Sequence, residues 1–362
     1  MPKKPLSASE RNTLAWVCHY FREKKPPAEI ARLMRQHGAE LNYRDANRLI
    51  AQAIDAEFIR VVSPIDSKLG GRIRDAFSLK RVDVTFTDSI DDVASQAAYA
   101  LWDLLQEEVK RGTSEVRLGF SGGHTIRRTF QNLANLLAEP STDLPRRITF
   151  HALVAGFDSG APGTDPTSFF VYLSDQNPTF DTHYFLFHAP PVTQPARFDN
   201  LFKLPALAEA KKKAEHLHVV VTSAAVFEDE HSQLRRYLKA YGKGTLSGLE
   251  RDGCKGDILW LPITVRGPIV MSKERGYHLR PVTLLELDDL PGRIGSGTRV
   301  LLVLGPCADS AHSVCPSKAA VLDPILHLKG GPYITDLVID KATAAKLMSM
   351  QDNRQTIAAQ AP

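Results

Sequence analysis

The hydrophobic positions from Arg11 to Val62 recur at helical spacing and predict three short helices followed by a short strand over 58–62. The run Lys24-Lys25-Pro26-Pro27 ends the first helix, because Pro27 suits a first helical turn, where no amide donor is needed. Asn42 suits the cap of the third helix. This order is typical of a winged helix-turn-helix domain. Residues 35–41, however, form a longer turn than the roughly 3–4 residues usual in that motif.

Beyond residue 80 the pattern changes to apolar strands that alternate with amphipathic helices. Strands are predicted over 81–86 and 115–120, and each is followed by a helix with one apolar side. Further apolar runs predict strands over 148–154, 183–187, 216–222, 257–261 and 300–304. This alternation predicts a Rossmann-like α/β domain with a largely parallel sheet.

These patterns divide the chain into four parts. Residues 1–62 are predicted to form the helix-turn-helix domain, 63–80 a linker or hinge, 81–350 the α/β domain and 351–362 a disordered tail.

Composition excludes several classes of protein. The chain has 362 residues, of which 43% are hydrophobic and 24% charged, which are ordinary globular values. No run approaches the roughly 18 apolar residues that span a bilayer, and the start of the chain lacks a signal-peptide core. Four cysteines are too few and too scattered for a disulfide framework. We therefore expect a cytoplasmic protein with free thiols and no membrane partner.

The formal charge of +4 is unevenly distributed along the chain. Residues 1–81 carry 16 Lys and Arg against 9 Asp and Glu, a charge of +7, whereas the rest carries 29 against 32, a charge of −3. A basic segment ahead of a slightly acidic body suggests a nucleic-acid-binding domain joined to a domain with another role. A solvated basic face is the alternative.

Polar residues at the start of the third helix suit the reading of DNA. They are Tyr43, Arg44, Asn47 and Arg48. In a helix-turn-helix the first residues of the recognition helix meet base edges, where Arg suits guanine and Asn suits adenine. Lys24 and Lys25 would hold phosphates of the DNA backbone. The alternative is a small helical cap whose charged residues face water.

A loop of small residues follows the predicted strand 115–120. It consists of Ser121, Gly122, Gly123, His124 and Thr125. Because a helix follows, this layout aims backbone amides and a helix N-terminus at an anion. Ligands of parallel sheets bind at the carboxyl ends of strands, where this loop would lie. An ordinary glycine turn is the alternative.

The histidines and cysteines do not show the spacing of a zinc site. His216 and His218 precede a buried strand, and we interpret them as strand-edge residues. Cys307 and Cys315 are interpreted as free thiols of a loop. We therefore expect neither a metal nor a cofactor.

Several short motifs occur in an order that resembles one known family. They are NYRDANRLIAQAIDAEFIRV (42–61), RIRDAFSLKRVDV (72–84), LGFSGGHT (118–125), HYFLFHAPPV (183–192), DGCKGDI (252–258), PSKAAVL (316–322) and GGPYITDLVIDKATAAKLM (330–348). In this order they resemble the SorC family of sugar-responsive bacterial transcriptional regulators. The resemblance runs from about Leu14 to Met348, nearly the whole chain.

The resemblance implies an effector domain related in fold to ribose-phosphate isomerase and glucosamine-phosphate deaminase, with the enzymatic activity lost. It implies that 121–125 cradle the phosphate of a sugar phosphate, that Lys318 lies near this phosphate and that Asp257 faces sugar hydroxyls. A solvated helix residue and a turn cap are the alternatives for Lys318 and Asp257. The family also implies operator DNA, usually palindromic, as a partner and a homodimer or homotetramer as the working unit.

Some features depart from the family's pattern. Thr222-Ser223-Ala224-Ala225 stands where the family has a glycine-rich turn, and His124 adds a titratable ring to the phosphate loop. Two alternatives therefore stay open beside a sugar-responsive regulator. One is a sugar-phosphate isomerase or deaminase relative with an N-terminal extension, in which His124 and Asp257 would form the acid–base pair. The other is a DNA-bound regulator that has lost its response to sugars.

Overall fold

The computed structural model describes residues 7–55, 63–138, 143–156, 162–174, 180–307 and 315–360. The chain divides into two compact units, Met1–Val62 and Ser63–Pro362. In the part of the chain that the structure describes, we find no helix with the length and apolar character needed to cross a membrane.

Within residues 7–55 the smaller unit consists of helices packed on a small apolar core. They are α1 (Ala8–Arg22), α2 (Pro27–Met34), a 3-10 turn (Arg35–His37) and α3 (Tyr43–Asp55). Asn42 caps α3 as predicted, since its Oδ1 accepts hydrogen bonds from the backbone N–H groups of Arg44 at 2.8 Å and Asp45 at 3.0 Å. Val17, Ile30, Met34 and Ala46 are among the residues of the core. The strand predicted over 58–62 lies outside the described residues.

The larger unit is built on short parallel strands. In chain order the strands are β1 (Arg81–Thr85), β2 (Glu115–Phe120), β3 (Arg147–Ala152), β4 (Asp181–Phe185), β5 (Val192–Thr193), β6 (Val219–Thr222), β7 (Ala224–Val226), β8 (Gly256–Ile258), β9 (Leu261–Thr264), β10 (Gly267–Pro268), β11 (Arg280–Pro281), β12 (Arg299–Leu304) and β13 (Asp336–Asp340). The described residues form a seven-stranded sheet in the order β1-β13-β12-β6-β2-β3-β4, and every pairing in it is parallel. The predicted α/β class with a parallel sheet is therefore confirmed.

Helices alternate with these strands along the chain. They are α4 (Ser67–Phe77), α5 (Ile90–Lys110), α6 (His124–Leu137), α7 (Phe170–Leu173), α8 (Phe198–Leu201), α9 (Pro205–Lys213), α10 (Gln233–Tyr241), α11 (Lys243–Arg251), α12 (Leu290–Gly295), α13 (Ala319–His327) and α14 (Lys341–Gln360). The central strands β6, β12 and β13 are buried along their whole length. This burial explains why β6 and β12 are nearly continuous runs of Val and Leu, as strands covered on both faces are.

A second, antiparallel sheet lies beside the first. It has the order β10-β9-β8-β7 in the described part of the chain, and β7 follows directly after β6. The predicted strand over 257–261 is wrong, because β8 and β9 form a hairpin that turns at Leu259 and Trp260. Both residues have positive φ angles, 54° and 63°, which a continuous strand does not allow.

Two other expectations differ from the structure. The predicted linker over 63–80 contains α4, which packs against β1 and buries Ile73. Gly70 belongs to this packing, since a Cβ there would lie 2.7 Å from the Val82 carbonyl oxygen. The predicted disordered tail over 351–362 is instead part of α14 as far as Gln360. Its Arg354 forms an ion pair with the buried carboxylate of Asp323, which gives the helix a contact beyond residue 350.

Candidate functional site

The carboxyl ends of three neighbouring strands open into a cavity of about 340 Å³. The strands are β12, β6 and β2, which are adjacent and parallel, so the loops that follow them meet at one edge of the sheet. These loops contribute residues 305–307, 223–225 and 121–125 to the wall. The β8–β9 hairpin, the segment 229–236 and Lys318 just before α13 also line it. The volume lies within the roughly 300–1,000 Å³ of small-molecule sites.

The predicted phosphate loop, residues 121–125, forms one wall of this cavity and leads into α6. Gly123 precedes the helix with a φ of 113°, and among the described residues no side chain caps this helix start. Gly122 is tightly enclosed, because a Cβ there would lie 2.5 Å from the Thr164 carbonyl oxygen. The first turn of α6 therefore presents the positive end of the helix dipole to the cavity.

Lys318 and Asp257, which the resemblance placed near a sugar phosphate, line the same cavity. Lys318 lies immediately before α13, and its Nζ forms an ion pair of 3.0 Å with Oδ2 of Asp229. The carboxylate of Asp229 is buried, so this pair is held away from bulk water. Asp229 was not among the predicted site residues, although an acidic residue shortly after β7 is a signal in the sequence. The positive charge of Lys318 is thus neutralised by Asp229.

Asp257 lies in β8 and is 5% exposed. Ser232 donates a hydrogen bond of 3.5 Å to its Oδ2. Burial raises the pKa of Asp257 to about 7, although the nearby positive charge of Lys318 and the hydrogen bond from Ser232 favour the charged form. Near neutral pH this carboxyl group therefore exists both as an acceptor and as a donor of hydrogen bonds.

The β8–β9 hairpin brings an aromatic ring close to the phosphate loop. Leu259 and Trp260 occupy the left-handed region at both turn positions, as in type I′ hairpins, which usually place Gly or Asn there. Such strain tends to occur at functional sites. A Cβ on Gly122 would lie 3.3 Å from Cζ2 of Trp260, so the indole packs closely against the loop. The sequence analysis did not identify either residue as part of a site.

A group of nucleophilic side chains lies at another part of the wall. The ligand atoms of His231, Cys307 and Cys315 all lie within 4.8 Å of one another, and this is the group of possible metal ligands found in the described residues. His231 and Cys307 also line the cavity. The pKa of the Cys315 thiol is raised to about 11, mainly by its hydrogen bond with Cys307. Sequence spacing could not reveal this group, because His231 is remote from the cysteines along the chain.

The predicted DNA-reading residues share the exposed start of α3. Tyr43, Arg44, Asn47 and Arg48 are all exposed, whereas Ala46 between them is buried in the core. Arg48 forms an ion pair of 3.3 Å with Asp45 on the same helix. This surface is polar and accessible.

The two predicted phosphate-binding lysines lie between α1 and α2. Lys24 is exposed and adopts a φ of 60°, whereas Lys25 forms an ion pair of 3.5 Å with Glu29. Part of the positive charge of this turn is therefore neutralised within the unit.

Comparison with known proteins adds to this geometry. No family model matches the chain, and no curated protein matches its sequence. Solved structures do match. The full-length sorbitol operon regulator SorC from Klebsiella pneumoniae has a TM-score of 0.66 at 15% identity, over 95% of this chain and 100% of that one. The fold is that of these regulators.

Two further structures match the greater part of the chain. A DeoR family transcriptional regulator from Listeria monocytogenes has a TM-score of 0.57 at 17% identity, over 78% of this chain and 98% of that one. A domain of a possible sugar-binding transcriptional regulator from Arthrobacter aurescens has a TM-score of 0.56 at 16% identity, over 78% of this chain and 97% of that one. At these identities the likeness establishes the shared fold.

Proposed function

We propose that this chain is a DNA-binding transcriptional regulator of the SorC type, whose larger unit senses a phosphorylated sugar. The observation that carries this proposal is the convergence, in one cavity, of the glycine loop at the start of α6 with Lys318, Asp257 and Asp229. Anion-binding amides beside hydroxyl-binding carboxylates match the two parts of a sugar phosphate. Two of the structural neighbours, a sorbitol operon regulator and a possible sugar-binding transcriptional regulator, agree with it.

The phosphate would bind at residues 121–125, where the helix dipole and the loop amides favour an anion. Lys318 would add a positive charge. Its ammonium group is paired with Asp229, so it would either bind the phosphate and Asp229 together or break the ion pair with Asp229. Sugar hydroxyl groups would face Asp257, and Trp260 would close one side with an apolar surface. Discrimination between sugars would then depend on which hydroxyl groups reach the carboxyl groups.

The smaller unit would bind operator DNA through the start of α3. Arg44, Asn47 and Arg48 would meet base edges in the major groove, with Tyr43 beside them and Lys24 and Lys25 on the phosphates. Such domains usually read palindromic sites, so we propose a homodimer or homotetramer as the working unit in the cytoplasm. Effector binding would act through different affinities for two arrangements of the assembly.

Thermal-shift measurements with pentose and hexose phosphates, each beside its unphosphorylated sugar, test the effector role. A phosphorylated member should raise the Tm of the parent and of Lys273→Ala, which changes an exposed lysine outside the cavity, but not of Lys318→Ala. Equal shifts of the parent and Lys318→Ala would show that the phosphate assignment is wrong. If no sugar phosphate shifts the parent, the chain is not a sugar-phosphate sensor.

Selection from random DNA duplexes tests the proposed operator binding, and light scattering tests the proposed oligomeric state. The chain should enrich a palindromic sequence and should be at least a dimer. Enrichment of no sequence would contradict a role in operator binding.

One observation favours a second candidate, an isomerase or deaminase relative. Asp257 is a buried carboxyl group with a pKa of about 7 in a cavity that also contains His124, and perturbed acids of this kind occur at catalytic sites. The same panel of sugar phosphates, assayed for turnover, separates the two candidates. Isomerisation or deamination that is lost in Asp257→Asn would establish the enzyme instead.

A further inference from the structure

Three loops of the larger unit bring two thiols and an imidazole together at the wall of the cavity. His231 comes from the segment between β7 and α10, Cys307 follows β12, and Cys315 shortly precedes α13. Their ligand atoms lie within 4.8 Å of one another. His231 follows a strand of the antiparallel sheet and Cys307 follows a strand of the parallel sheet, so the group forms only when the larger unit is folded.

These distances are close to those of a metal site. Zinc bonds of about 2.3 Å to sulfur and 2.0–2.1 Å to nitrogen place tetrahedral ligand atoms about 3.5–3.8 Å apart. The three side chains therefore need to move by only about 1 Å or less to share one ion. We propose that His231, Cys307 and Cys315 bind a thiophilic divalent cation of the Zn²⁺ class at the wall of the effector cavity.

The donor set determines which cations fit. Two sulfur atoms and one imidazole nitrogen suit Zn²⁺ and its neighbours Co²⁺ and Cd²⁺, whereas Mg²⁺ and Ca²⁺ require oxygen ligands. With both thiols deprotonated, the two negative charges balance the divalent ion, so the filled site adds no net charge to the wall. This balance permits a metal beside the buried Lys318–Asp229 pair without repelling either partner.

Three ligands leave one position of a tetrahedral ion unfilled. Within the described residues no fourth Cys, His, Asp or Glu atom joins the group. Because His231 and Cys307 line the cavity, water or an oxygen atom of a bound molecule would complete the coordination from the cavity side. The idea that a bound effector supplies this fourth ligand rests on the proposed function, whereas the binding of the metal by the three side chains does not.

A disulfide between Cys307 and Cys315 is the competing use of the two thiols. Two features favour the metal. A disulfide has no use for His231, whose ring nitrogen also lies within 4.8 Å of both sulfur atoms, and its formation requires an oxidant, whereas metal binding requires only the loss of two protons. The experiment below distinguishes the two outcomes.

The test is a titration of the reduced, metal-free full-length chain with Co²⁺, followed by absorption spectroscopy and by displacement with Zn²⁺. One equivalent should bind, with sulfur-to-cobalt charge-transfer bands. Cys307→Ser and Cys315→Ser should each reduce these bands and weaken the affinity at least about tenfold. His231→Ala should weaken binding to a similar extent while it retains the sulfur bands. Cys18→Ser and Cys254→Ser, which change cysteines outside the group, should bind like the parent.

Several outcomes would overturn the proposal. They are the absence of a stoichiometric Co²⁺ complex, equal binding by the parent and Cys307→Ser/Cys315→Ser, or a loss of two titratable thiols in air with no metal bound under reducing conditions. The last result would assign the pair to disulfide formation. Circular dichroism shows whether each variant is folded, and Cys307→Ala replaces a serine variant that is not. No sugar phosphate is present, so failure here leaves the effector proposal unaffected, and failure of the effector proposal leaves this one intact.

Discussion

Replacing Asp257 by Asn should stabilise the effector-free chain, and the gain should depend on pH. The carboxyl group is buried in β8, and Lys318, a cation of the same cavity, is paired with Asp229. Burial moves the pKa of Asp257 from 3.8 to about 7. Each pKa unit corresponds to about 1.4 kcal/mol, so ionising this group in the folded chain costs about 4 kcal/mol relative to the unfolded chain.

The sign follows from the direction of this change. Because the folded pKa is raised, the contribution of Asp257 to stability is fully present below pH 4 and is lost as the pH rises through 7. Asn cannot ionise and has nearly the same shape. The free energy of unfolding of Asp257→Asn should therefore be close to that of the parent near pH 4, higher by about 1.5 kcal/mol at pH 5 and higher by roughly 4 kcal/mol at pH 8.

Urea unfolding of the parent and the variant between pH 5 and 8.5, followed by circular dichroism without ligand, measures this difference. Asp229→Asn is the matched control, because it leaves the mostly buried Lys318 without its partner and should destabilise the chain at pH 8. A difference between Asp257→Asn and the parent that is constant with pH would refute the reasoning. So would a variant that is less stable than the parent at pH 8.

Three other substitutions test separate parts of the structure. His151 is fully buried, its ring nitrogens have no hydrogen-bond partner among the described residues, and burial lowers its pKa to about 4. His151 should therefore cost the parent about 3 kcal/mol of stability relative to His151→Phe as the pH falls from 6.5 to 4, measured as the change in the difference between their free energies of unfolding. Gly122→Ala should abolish the Tm shift by sugar phosphates, because its Cβ would meet the Thr164 carbonyl oxygen, whereas Gly71→Ala, where a Cβ meets open space, should retain it. Arg48→Ala should weaken binding to the selected duplex by about 1–3 kcal/mol in a fluorescence-anisotropy titration, and Arg266→Ala, on an exposed surface of the larger unit, should not. An unchanged pH profile, an unchanged Tm shift or an unchanged affinity would contradict the respective prediction.

The local features of the fold were predictable because their causes are local. Proline at the first turn of α2 and the Asn42 cap of α3 act within a few residues, and both boundaries agree with the structure. The alternation of strand and helix predicted the parallel sheet for the same reason. The misassigned stretch 63–80 shows the limit. Gly70 and Gly71 are typical of a linker, yet both lie in α4. Position 70 requires glycine because the backbone of β1 leaves no room for a side chain.

The members of the cavity were only partly predictable from the sequence. A loop at the end of a parallel strand can be identified from its neighbours along the chain, whereas Asp229, Trp260 and the group of His231 with Cys307 and Cys315 depend on pairings between remote segments. The β8–β9 hairpin was missed because its turn uses Leu259 and Trp260 instead of the glycine or asparagine that would mark it.

The net charge of the larger unit can be related to the charged residues of the cavity. The sequence suggested a body of charge −3 that needs only local positive charge, from Lys318 and the amides of the loop 121–125, to hold a phosphate. The structure places Asp229 on that lysine, so an entering phosphate competes with a buried carboxylate for the same ammonium group. If a phosphate takes the ammonium group, the buried Asp229 needs another hydrogen-bond donor, which a sugar hydroxyl of the same ligand can supply. The pair would therefore make the cavity select for a phosphate and a hydroxyl group joined in one molecule.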